Sequence, residues 1–490
     1  MVDCYLSRDG TKKISVVPKK INDYTYIVEK QEGMNVPVKI FADEKLMKKM
    51  LDDQCICQGV HVATLPGIKG FSIMLSDAHQ GYGFSIGGVA AIDAEKGCIS
   101  PSGIGFDINC GVRLLQTNLT KEEVRPKMKE LLDVMFKYVP PGVGRKANVK
   151  LTEKELENVL RDGAKWAVDY GYGTKEDLEH CEEYGTMPGA DPAKVSKTAC
   201  DRGIGQLGTL GSGNHFLEVQ YVAKIHDKKT AKVFGIEKEG QVVVMIHCGS
   251  RGLGHQVCSD YLRKIEETYP DIVASLPEKD LAYAPAGSPI AKDYFGGMCA
   301  AANFAWANRH IIGHYVRKSF TDVFGKEAEL HTVYDVAHNI AKLEEHTFDG
   351  ETCKVWVHRK GATRAFGRGR KEVPEKYRPY GQPILIPGSM GTSSYVLVGT
   401  DHAMQESFGS TAHGAGRTMS RHEALRRWRG EDIKRELEKE GILVKATSLK
   451  GISEEAPLAY KDVDEVVSVS DKAGIGALVA QLKPMGVVKG

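Results

Sequence analysis

The feature that most constrains the fold is a series of short apolar runs that end beside glycine-rich or polar residues. Four of these runs have the length and β-branched content of buried strands: QVVVMIH (241–247), KVWVH (354–358), PILIPG (383–388) and YVLVG (395–399). Glycine accounts for 53 of the 490 residues and is gathered in short clusters. Such clusters let the backbone approach a ligand closely. The pattern predicts buried strands that end in ligand-binding loops.

Between these strands lie segments with helical signals. Capping-box patterns at 120–123 and 152–155 mark the starts of helices. Residues 289–320 favour a long helix, which the glycine pair at 296–297 is expected to break. Residues 420–440 are predicted to form a second, strongly charged helical stretch.

The order of strands and helices indicates the fold class. Strands and helices do not alternate regularly, so we expect an α+β fold with a central mixed sheet. The chain is longer than a usual domain, but no low-complexity linker or fixed-period repeat divides it. We therefore predict one large intertwined domain over residues 1–490.

Composition bounds the functional classes. The formal net charge of +2 shows no global basic bias, so any nucleic-acid contact must come from local patches. Eleven cysteines lack paired spacing and the N-terminus has no apolar signal segment, which predicts reduced thiols in a cytoplasmic protein. No run approaches the roughly 18 apolar residues of a membrane helix, so no membrane partner is expected.

Side chains able to bind a metal stand beside several glycine clusters. Asp107 and Cys110 lie three apart in GIGFDINCGVR, and a thiolate favours a softer ion than magnesium. This pair alone is equally compatible with a turn aspartate and a small buried cysteine. With the three histidines His215, His247 and His338 it would suit two adjacent ions, manganese or zinc. Other histidines stand among charged residues and are expected to be solvated: His180, His226 and His346.

Several glycine loops are suited to holding phosphate. GSRGLG (249–254) follows a strand and opens a helix, so its backbone N–H groups could meet an anion. The same pattern recurs in HRKGATR (358–364), PGSMGTSS (387–394) and GSTAHGAGR (409–417). The chain contains no P-loop and no Rossmann fingerprint, so a nucleotide would be held in another way. His413, whose neighbours are too small to cover it, is the candidate nucleophile for a covalent nucleotide.

Two basic stretches are candidate RNA-binding surfaces. RKGATRAFGRGRK (359–371) and RTMSRHEALRRWR (417–429) concentrate arginine and lysine, and Arg417 and Arg421 are spaced to share one helical face. Such stretches are usually solvated, but aromatic residues within them could stack a base while the cations grip the backbone. The arginines hypothesised to contact RNA are Arg202, Arg251, Arg417 and Arg421.

Taken together, the motifs GFDINCGVR, GSGNHF, HCGSRGLGHQ, HRKGATRAF, PGSMGTSSY and GSTAHGAGR resemble those of the RtcB family, the GTP-dependent tRNA-splicing RNA ligases. The resemblance extends from SDAHQGYGFSIGG (76–88) to the terminal PMGVVKG. It implies joining of an RNA 3′-phosphate or 2′,3′-cyclic phosphate to a 5′-hydroxyl, in tRNA splicing and RNA repair. It also implies RNA partners, namely tRNA exon halves and broken RNA ends, and the activating partner archease.

The resemblance implies roles for individual residues. His413 matches the histidine that GTP guanylylates, and Cys110 matches a bridge between two Mn²⁺ ions. The implied metal ligands are Asp107, Cys110, His215, His247 and His338. The implied phosphate, guanine and ribose contacts are Asn214, Asn339, Glu218, Ser389, Ser394, Tyr460 and Lys489, and the implied second-line residues are Asp77 and Lys360.

Two rival functions fit the same residues. A metal-dependent phosphodiesterase that only opens cyclic phosphates would use the metals but leave His413 idle. An RNA-binding scaffold would use the basic patches while its metals only stabilise the fold. GTP dependence separates the ligase from the first rival, and tolerance of His413→Ala separates it from the second.

Overall fold

The computed structural model describes residues 1–142, 144 and 147–490. In these residues the strands, β1 to β21 in chain order, are Val2–Tyr5, Lys13–Val16, Lys19–Asn22, Thr25–Val28, Val38–Phe41, Ile68–His79, Ile86–Asp93, Cys98–Ile99, Gly111–Thr120, Phe216–Ile225, Gln241–Cys248, Ala284–Pro285, Leu330–Ala337, Asn339–Phe348, Glu351–Lys360, Ala362–Arg364, Pro383–Ile386, Ser394–Val398, Ser410–Ala412, Leu443–Ala446 and Ala477–Lys489.

The α-helices of the same residues, α1 to α17 in chain order, are Glu44–Leu51, Cys55–Val62, Lys121–Val124, Met128–Tyr138, Glu153–Asp162, Ala164–Asp169, Glu176–Glu179, Lys197–Gly203, Lys228–Val233, Arg251–Thr268, Pro270–Ser275, Pro289–Phe324, Asp401–Glu406, Arg421–Arg427, Gly430–Lys439, Leu449–Glu454 and Val463–Lys472. Short 3-10 turns occupy Pro101–Gly103, Arg125–Lys127, Glu182–Gly185, Pro192–Lys194, Lys279–Leu281 and Pro457–Ala459. None of these helices is both long enough and apolar enough to span a bilayer.

Two large mixed sheets organise the fold, which confirms the expected α+β class. The eight-stranded sheet runs β13-β9-β11-β10-β21-β18-β17, with β20 pairing in parallel with β21. The seven-stranded sheet runs β14-β15-β7-β6-β5-β4-β3, and only β5 and β6 are parallel in it. His338 alone separates β13 from β14. The edge strand of one sheet therefore continues directly into the edge strand of the other.

Strand β11 shows why its sequence is a continuous apolar run. All its residues are buried, and alternate side chains enter two different hydrophobic clusters. Val244 and Ile246 join the cluster that contains Ile312 of α12, while Val243 and Met245 join the opposite one. A strand covered on both faces needs no polar side, so the run lacks the alternation of a half-exposed strand. The four strands predicted from apolar runs are all confirmed.

Helix α12 is unbroken, so the break expected at the glycine pair is wrong. The helix continues through Gly296 and Gly297, and the 3-10 turn that ends at Lys194 packs against it at this point. A Cβ atom on Gly296 would lie 3.0 Å from Cβ of Asp191, and one on Gly297 would lie 3.0 Å from the carbonyl oxygen of Lys194. The pair allows close packing of the turn rather than ending the helix.

Other helical predictions are confirmed with changes at their boundaries. The backbone N–H of Thr120 donates to the Glu123 carboxylate over 2.7 Å, and that of Thr152 donates to Glu155 over 2.7 Å. The charged stretch at 420–440 forms two helices, α14 and α15, because the chain is extended between them.

One pair of cysteines is oxidised, so the prediction of reduced thiols is wrong for that pair. Cys4 in β1 and Cys57 in α2 form a disulfide, with Cα atoms 5.2 Å apart. They are 53 residues apart in the sequence, so no local spacing marked them as partners. The other nine cysteines are free thiols.

Candidate functional site

The candidate metal ligands lie together at one end of the eight-stranded sheet. Cys110 immediately precedes β9, His215 precedes β10, His247 lies near the end of β11, and His338 follows β13. Strand β9 pairs antiparallel with β11 and β13, and β11 pairs antiparallel with β10. This pairing brings these strand ends to the same end of the sheet. The topology therefore assembles side chains that are up to 228 residues apart.

The ligands form two groups that share one thiol. Asp107, Cys110 and His215 form one group, and Cys110, His247 and His338 form the other, with the ligand atoms of each group within 4.8 Å of one another. The Cys110 Sγ atom lies 3.4 Å from Nε2 of His215 and 3.3 Å from Nε2 of His247. A shared thiolate can bridge two neighbouring ions.

The chemistry of these donors fits a cation. Burial raises the pKa of the Cys110 thiol to about 12 and lowers the pKa of His247 and His338 well below the ordinary value. The Nε2 atoms of these two histidines face each other at 3.3 Å, and among the described residues Nδ1 of His338 is buried without a hydrogen-bond partner. Neutral imidazoles and a thiol that ionises next to positive charge are suitable ligands for a soft divalent ion.

The outer contact of His215 sets its orientation toward the metal group. Its Nδ1 lies 3.2 Å from the carbonyl oxygen of Leu210, which can only accept a hydrogen bond. Nδ1 therefore carries a proton, and Nε2 donates to Oδ2 of Asp107 over 2.8 Å, so a metal bound here would take the place of the Nε2 proton. Burial alone would lower the pKa of His215, but Cys248, Cys110 and Asp107 raise it well above the ordinary value. A backbone carbonyl behind a ligating histidine is a common feature of metal sites.

His413 stands beside the metal groups and is held by a buried carboxylate. It follows β19, and its ring centroid lies 4.8 Å from that of His338. Its Nδ1 lies 2.6 Å from Oδ2 of Asp77, which also accepts the His413 backbone N–H over 2.9 Å. Burial alone would raise the pKa of Asp77, but the charge and hydrogen bonds of His413 hold it below its ordinary value. Hydrogen bonds within the described part of the chain engage the backbone N–H and Nδ1 of His413 and leave Nε2 without a partner.

The backbone conformation of the loop after His413 also requires a small residue at position 416. Gly416 has φ +73°, and a Cβ atom there would lie 2.4 Å from the carbonyl oxygen of Asp77. The loop can therefore pack directly onto the strand that carries Asp77.

Two cavities meet at His413. The larger, about 690 Å³, is lined by four of the predicted nucleotide contacts: Asn214, Ser389, Tyr460 and Lys489. The smaller, about 320 Å³, is lined by Asp107, Cys110, His338 and Asn339. Asn214 and Lys360 line both cavities. The volumes are those of small-molecule sites.

Two predicted nucleotide contacts stand behind the wall of the larger cavity. Glu218 and Ser394 are buried, and neither lines a cavity among the described residues. Gln220 links them, since its Nε2 donates to Glu218 Oε1 over 2.5 Å and to Ser394 Oγ over 2.9 Å.

We expect Glu218→Gln to stabilise the protein at alkaline pH. Burial raises the pKa of Glu218 to about 8, so between pH 4.5 and about 8 the folded state binds a proton that the unfolded state releases. The free energy of unfolding therefore falls as pH rises, by up to about 1.4 kcal/mol per pH unit, and this loss disappears in the variant. Urea titrations of both proteins across this range measure the difference. A constant difference at all pH values would contradict the assignment.

The two arginines predicted to share a helical face instead converge on a carboxylate. Arg417 precedes α14, so the shared-face prediction is wrong. Arg421 Nε donates to Glu455 Oε1 over 2.8 Å, and Arg417 Nη1 donates to Glu455 Oε2 over 3.3 Å and to the Tyr460 hydroxyl over 3.1 Å. The Arg421 side chain remains 49% exposed, whereas that of Arg417 is 17% exposed. Arg421 is the better placed of the two for an incoming polyanion.

The basic stretch at 359–371 is largely internal. Arg359 is buried and pairs with Glu344 over 2.5 Å, and Arg364 is buried and pairs with Glu182 over 3.1 Å. The expectation of a surface patch is wrong for these residues, because carboxylates from other elements pair with them in the interior. Lys360 is also buried, and burial lowers its pKa to about 8.

The remaining two candidate RNA contacts lie near the start of α10. Arg202 is exposed and donates to Gln256 over 2.8 Å. Arg251 is partly buried, and its Nε donates to the Thr209 hydroxyl over 3.3 Å. Arg202 is thus the freer of this pair.

The motifs did not reveal Arg309, which ties the metal loop to α12. Its Nη1 donates to the carbonyl oxygens of Asn109 and Cys248 over 2.7 and 2.9 Å, beside Cys110. Its guanidinium also pairs with the buried Asp335 over 2.8 Å. The sequence around Arg309 indicated only a helix. Its hydrogen-bond partners Asn109 and Cys248 are distant in sequence, so no local pattern marked this role.

We expect Arg309→Met to destabilise the fold by about 3 kcal/mol, because Asp335 and two carbonyl groups lose a buried partner. Arg161→Met is the matched control, since the Arg161 side chain forms only exposed contacts among the described residues, an ion pair with Glu157 and a hydrogen bond to Asn158, and should cost below about 1 kcal/mol. Urea denaturation measures both values. Equal costs for the two variants would show that Arg309 does not brace the loop.

Comparison with known proteins finds similar chains over most of the sequence. The family model described as tRNA-splicing ligase RtcB matches residues 58–490. The chain is 57% identical to the tRNA-splicing ligase RtcB of Pyrobaculum aerophilum over 477 residues, covering 96% of this chain and 99% of the relative. It is also 57% identical to the tRNA-splicing ligase RtcB of Thermococcus kodakarensis, covering 96% of this chain and 98% of that relative. The identity to the tRNA-splicing ligase RtcB of Methanococcus maripaludis is 52%, covering 96% of this chain and 99% of that relative.

Proposed function

This chain belongs to the RtcB family, and from that premise we propose that it is an RNA ligase of tRNA splicing and RNA repair. It joins an RNA 3′-phosphate or 2′,3′-cyclic phosphate to a 5′-hydroxyl, using GTP and two Mn²⁺ ions. The observation that carries the proposal is the position of His413, which lies between the two cavities beside the shared-thiol metal groups.

His413 is the nucleophile of the first step. The Asp77 carboxylate can only accept a hydrogen bond, so Nδ1 of His413 carries the proton and Nε2 presents its lone pair. Nε2 attacks the α-phosphorus of GTP, a P–N bond forms, and pyrophosphate leaves. Asp77 stabilises the positive charge that develops on the ring and holds the ring in position.

The metal groups supply electrostatic stabilisation. Mn²⁺ bound by Asp107, Cys110 and His215, and by Cys110, His247 and His338, would neutralise phosphate charge and activate water to open a cyclic phosphate. The chain's part is to hold these donors in place, and Asn339 contributes by donating to the Asp107 carbonyl oxygen over 3.2 Å.

The remaining steps transfer the guanylyl group and seal the strand. An oxygen of the RNA 3′-phosphate attacks the phosphorus on His413, and the P–N bond breaks to restore the imidazole. The 5′-hydroxyl of the second strand then attacks the activated 3′-phosphate and GMP leaves. The hydroxyl proton passes to solvent or to a nearby base.

The guanosine occupies the larger cavity in this proposal. Tyr460 offers a ring for stacking, while Ser389, Asn214 and Lys489 offer polar groups. Glu218 and Ser394 reach the base only if it replaces Gln220 as their hydrogen-bond partner. Burial lowers the pKa of Lys489, and a bound phosphate beside it would raise that pKa again and favour the charged ammonium.

End joining tests the proposal. Two RNA strands, one with a 3′-phosphate and one with a 5′-hydroxyl, are incubated with the protein, Mn²⁺ and GTP, and the sealed product is measured. Omitting GTP should abolish sealing. Sealing without GTP would contradict the proposal, and opening of cyclic phosphates alone would favour the phosphodiesterase.

Further parts of the proposal concern the setting of the reaction. We place the activity in the cytoplasm, where a thiolate ligand such as Cys110 stays reduced. Residues 1–490 are proposed to act as one domain. Repeating the end-joining assay with archease tests whether this chain needs that activating partner.

We expect Asp77→Asn to slow guanylylation by about 10²- to 10⁴-fold, because an amide can donate to Nδ1 and favour the wrong tautomer of His413. The measurement is the rate of labelling by α-labelled GTP. Asp349→Asn, a change at an exposed aspartate that lines neither cavity, is the control and should label at the wild-type rate. Equal rates for both variants would remove Asp77 from the mechanism.

A further inference from the structure

The smaller cavity has an aromatic side that the chemistry at His413 does not use. Tyr82 is 64% exposed and lines both cavities. Its ring meets Phe106 edge-on with centroids 6.0 Å apart, and Phe106 stacks on His255 with centroids 4.8 Å apart. We refer to Tyr82, Phe106 and His255 as the aromatic strip.

Buried polar contacts hold the backbone that carries Tyr82. Lys360 Nζ donates to the carbonyl oxygens of Tyr82 and Phe84 over 2.6 and 3.0 Å. The Gln58 amide exchanges two hydrogen bonds with the backbone of Gly81, over 2.7 and 2.9 Å. The loop is thus fixed while the Tyr82 ring is left exposed. A large exposed aromatic side chain on a fixed loop is preorganised for binding.

Positive charge lies at both ends of the strip. Arg421 lines both cavities, and at the other end the pKa of His255 is lowered by partial burial and then by the charge of the exposed Arg202. Aromatic rings flanked by arginines are suited to single-stranded nucleic acid, because bases stack on the rings while the cations meet the phosphates.

We propose that the aromatic strip stacks an unpaired nucleobase next to the RNA end that is being joined. The inference rests on the proposed function and adds a substrate subsite to it. Both RNA strands carry a base that could stack, one beside a 5′-hydroxyl and the other beside a 3′-phosphate. The common ligand chemistry is therefore a terminal nucleobase, and the strand is identified by experiment.

Binding of short single-stranded RNA tests the proposal in the absence of GTP. Fluorescence anisotropy at fixed salt gives the Kd of the 5′-hydroxyl and 3′-phosphate strands for wild type, Tyr82→Ala and Tyr82→Phe. We expect Tyr82→Ala to weaken binding of at least one strand by about fivefold or more, and Tyr82→Phe to retain it. Tyr5→Ala, at another half-exposed tyrosine that lines neither cavity, is the control and should bind like wild type.

An abasic terminal nucleotide isolates the stacking contribution. If the strip stacks the base, wild type should bind the abasic strand as weakly as Tyr82→Ala binds the intact one. Equal binding of both intact strands by wild type and Tyr82→Ala would overturn the proposal. Loss of GTP labelling in Tyr82→Ala would also overturn it, because the ring would then belong to the nucleotide site. Absence of labelling in wild type would count against the ligase function alone, since base-dependent binding is measured without GTP.

Discussion

His413→Ala is expected to eliminate covalent labelling by α-labelled GTP and to reduce end joining by at least about 10³-fold. The alanine side chain has no lone pair to attack the α-phosphorus, and in the described residues no other imidazole donates a hydrogen bond to the Asp77 carboxylate while facing both cavities. The label on wild type should be acid-labile and alkali-stable, as a phosphoramidate is.

The matched control is His226→Ala, because His226 is exposed and lines neither cavity. It should label and ligate like wild type. Label that persists on His413→Ala would mean that another residue is the nucleophile. If His413→Ala ligated normally without any label, the covalent route would be wrong and the metal groups alone would have to account for sealing.

Cys110→Ser is expected to weaken manganese binding by at least about 100-fold and to abolish labelling at ordinary metal concentrations. Cys110 is the member shared by both groups, so its loss removes a ligand from each ion at once. A serine hydroxyl stays protonated at neutral pH and is a poor replacement for a thiolate. Isothermal titration with Mn²⁺ and metal analysis of the dialysed protein give the affinity and the number of ions bound.

Two further variants make this result specific. Cys353→Ser changes a half-buried free thiol outside both groups and should bind two ions like wild type. His338→Ala removes a ligand from one group only, so it should retain the ion of the other group. Two ions bound with unchanged affinity in Cys110→Ser would show that this thiol is not a ligand.

Local patterns predicted the strands well. The apolar run of β11 follows from burial on both faces, and the capping boxes at Thr120 and Thr152 follow from bonds within a single turn. These interactions join residues close in sequence, so the sequence pattern carries the information. The resemblance motifs added the residue set around His413, which the structure brings into one region.

Residues whose environment depends on distant partners were predicted less well. His180 and His346 are buried rather than solvated, because the distant aromatic residues Tyr377 and Phe408 pack against their rings, whereas His226 is exposed as expected. A charged neighbourhood in the sequence does not reveal whether side chains from distant segments will cover a histidine.

The sequence by itself therefore determined which segments become strands and helices and which residue types are available for metal and phosphate chemistry, because those depend on short-range periodicity and side-chain chemistry. Only the tertiary structure decided that Arg359 and Arg364 are internal, that Arg309 braces the metal loop, and that His413 lies between two cavities. These features arise from contacts between segments 15 to 200 residues apart, whose pairing is set by the register and order of the two mixed sheets.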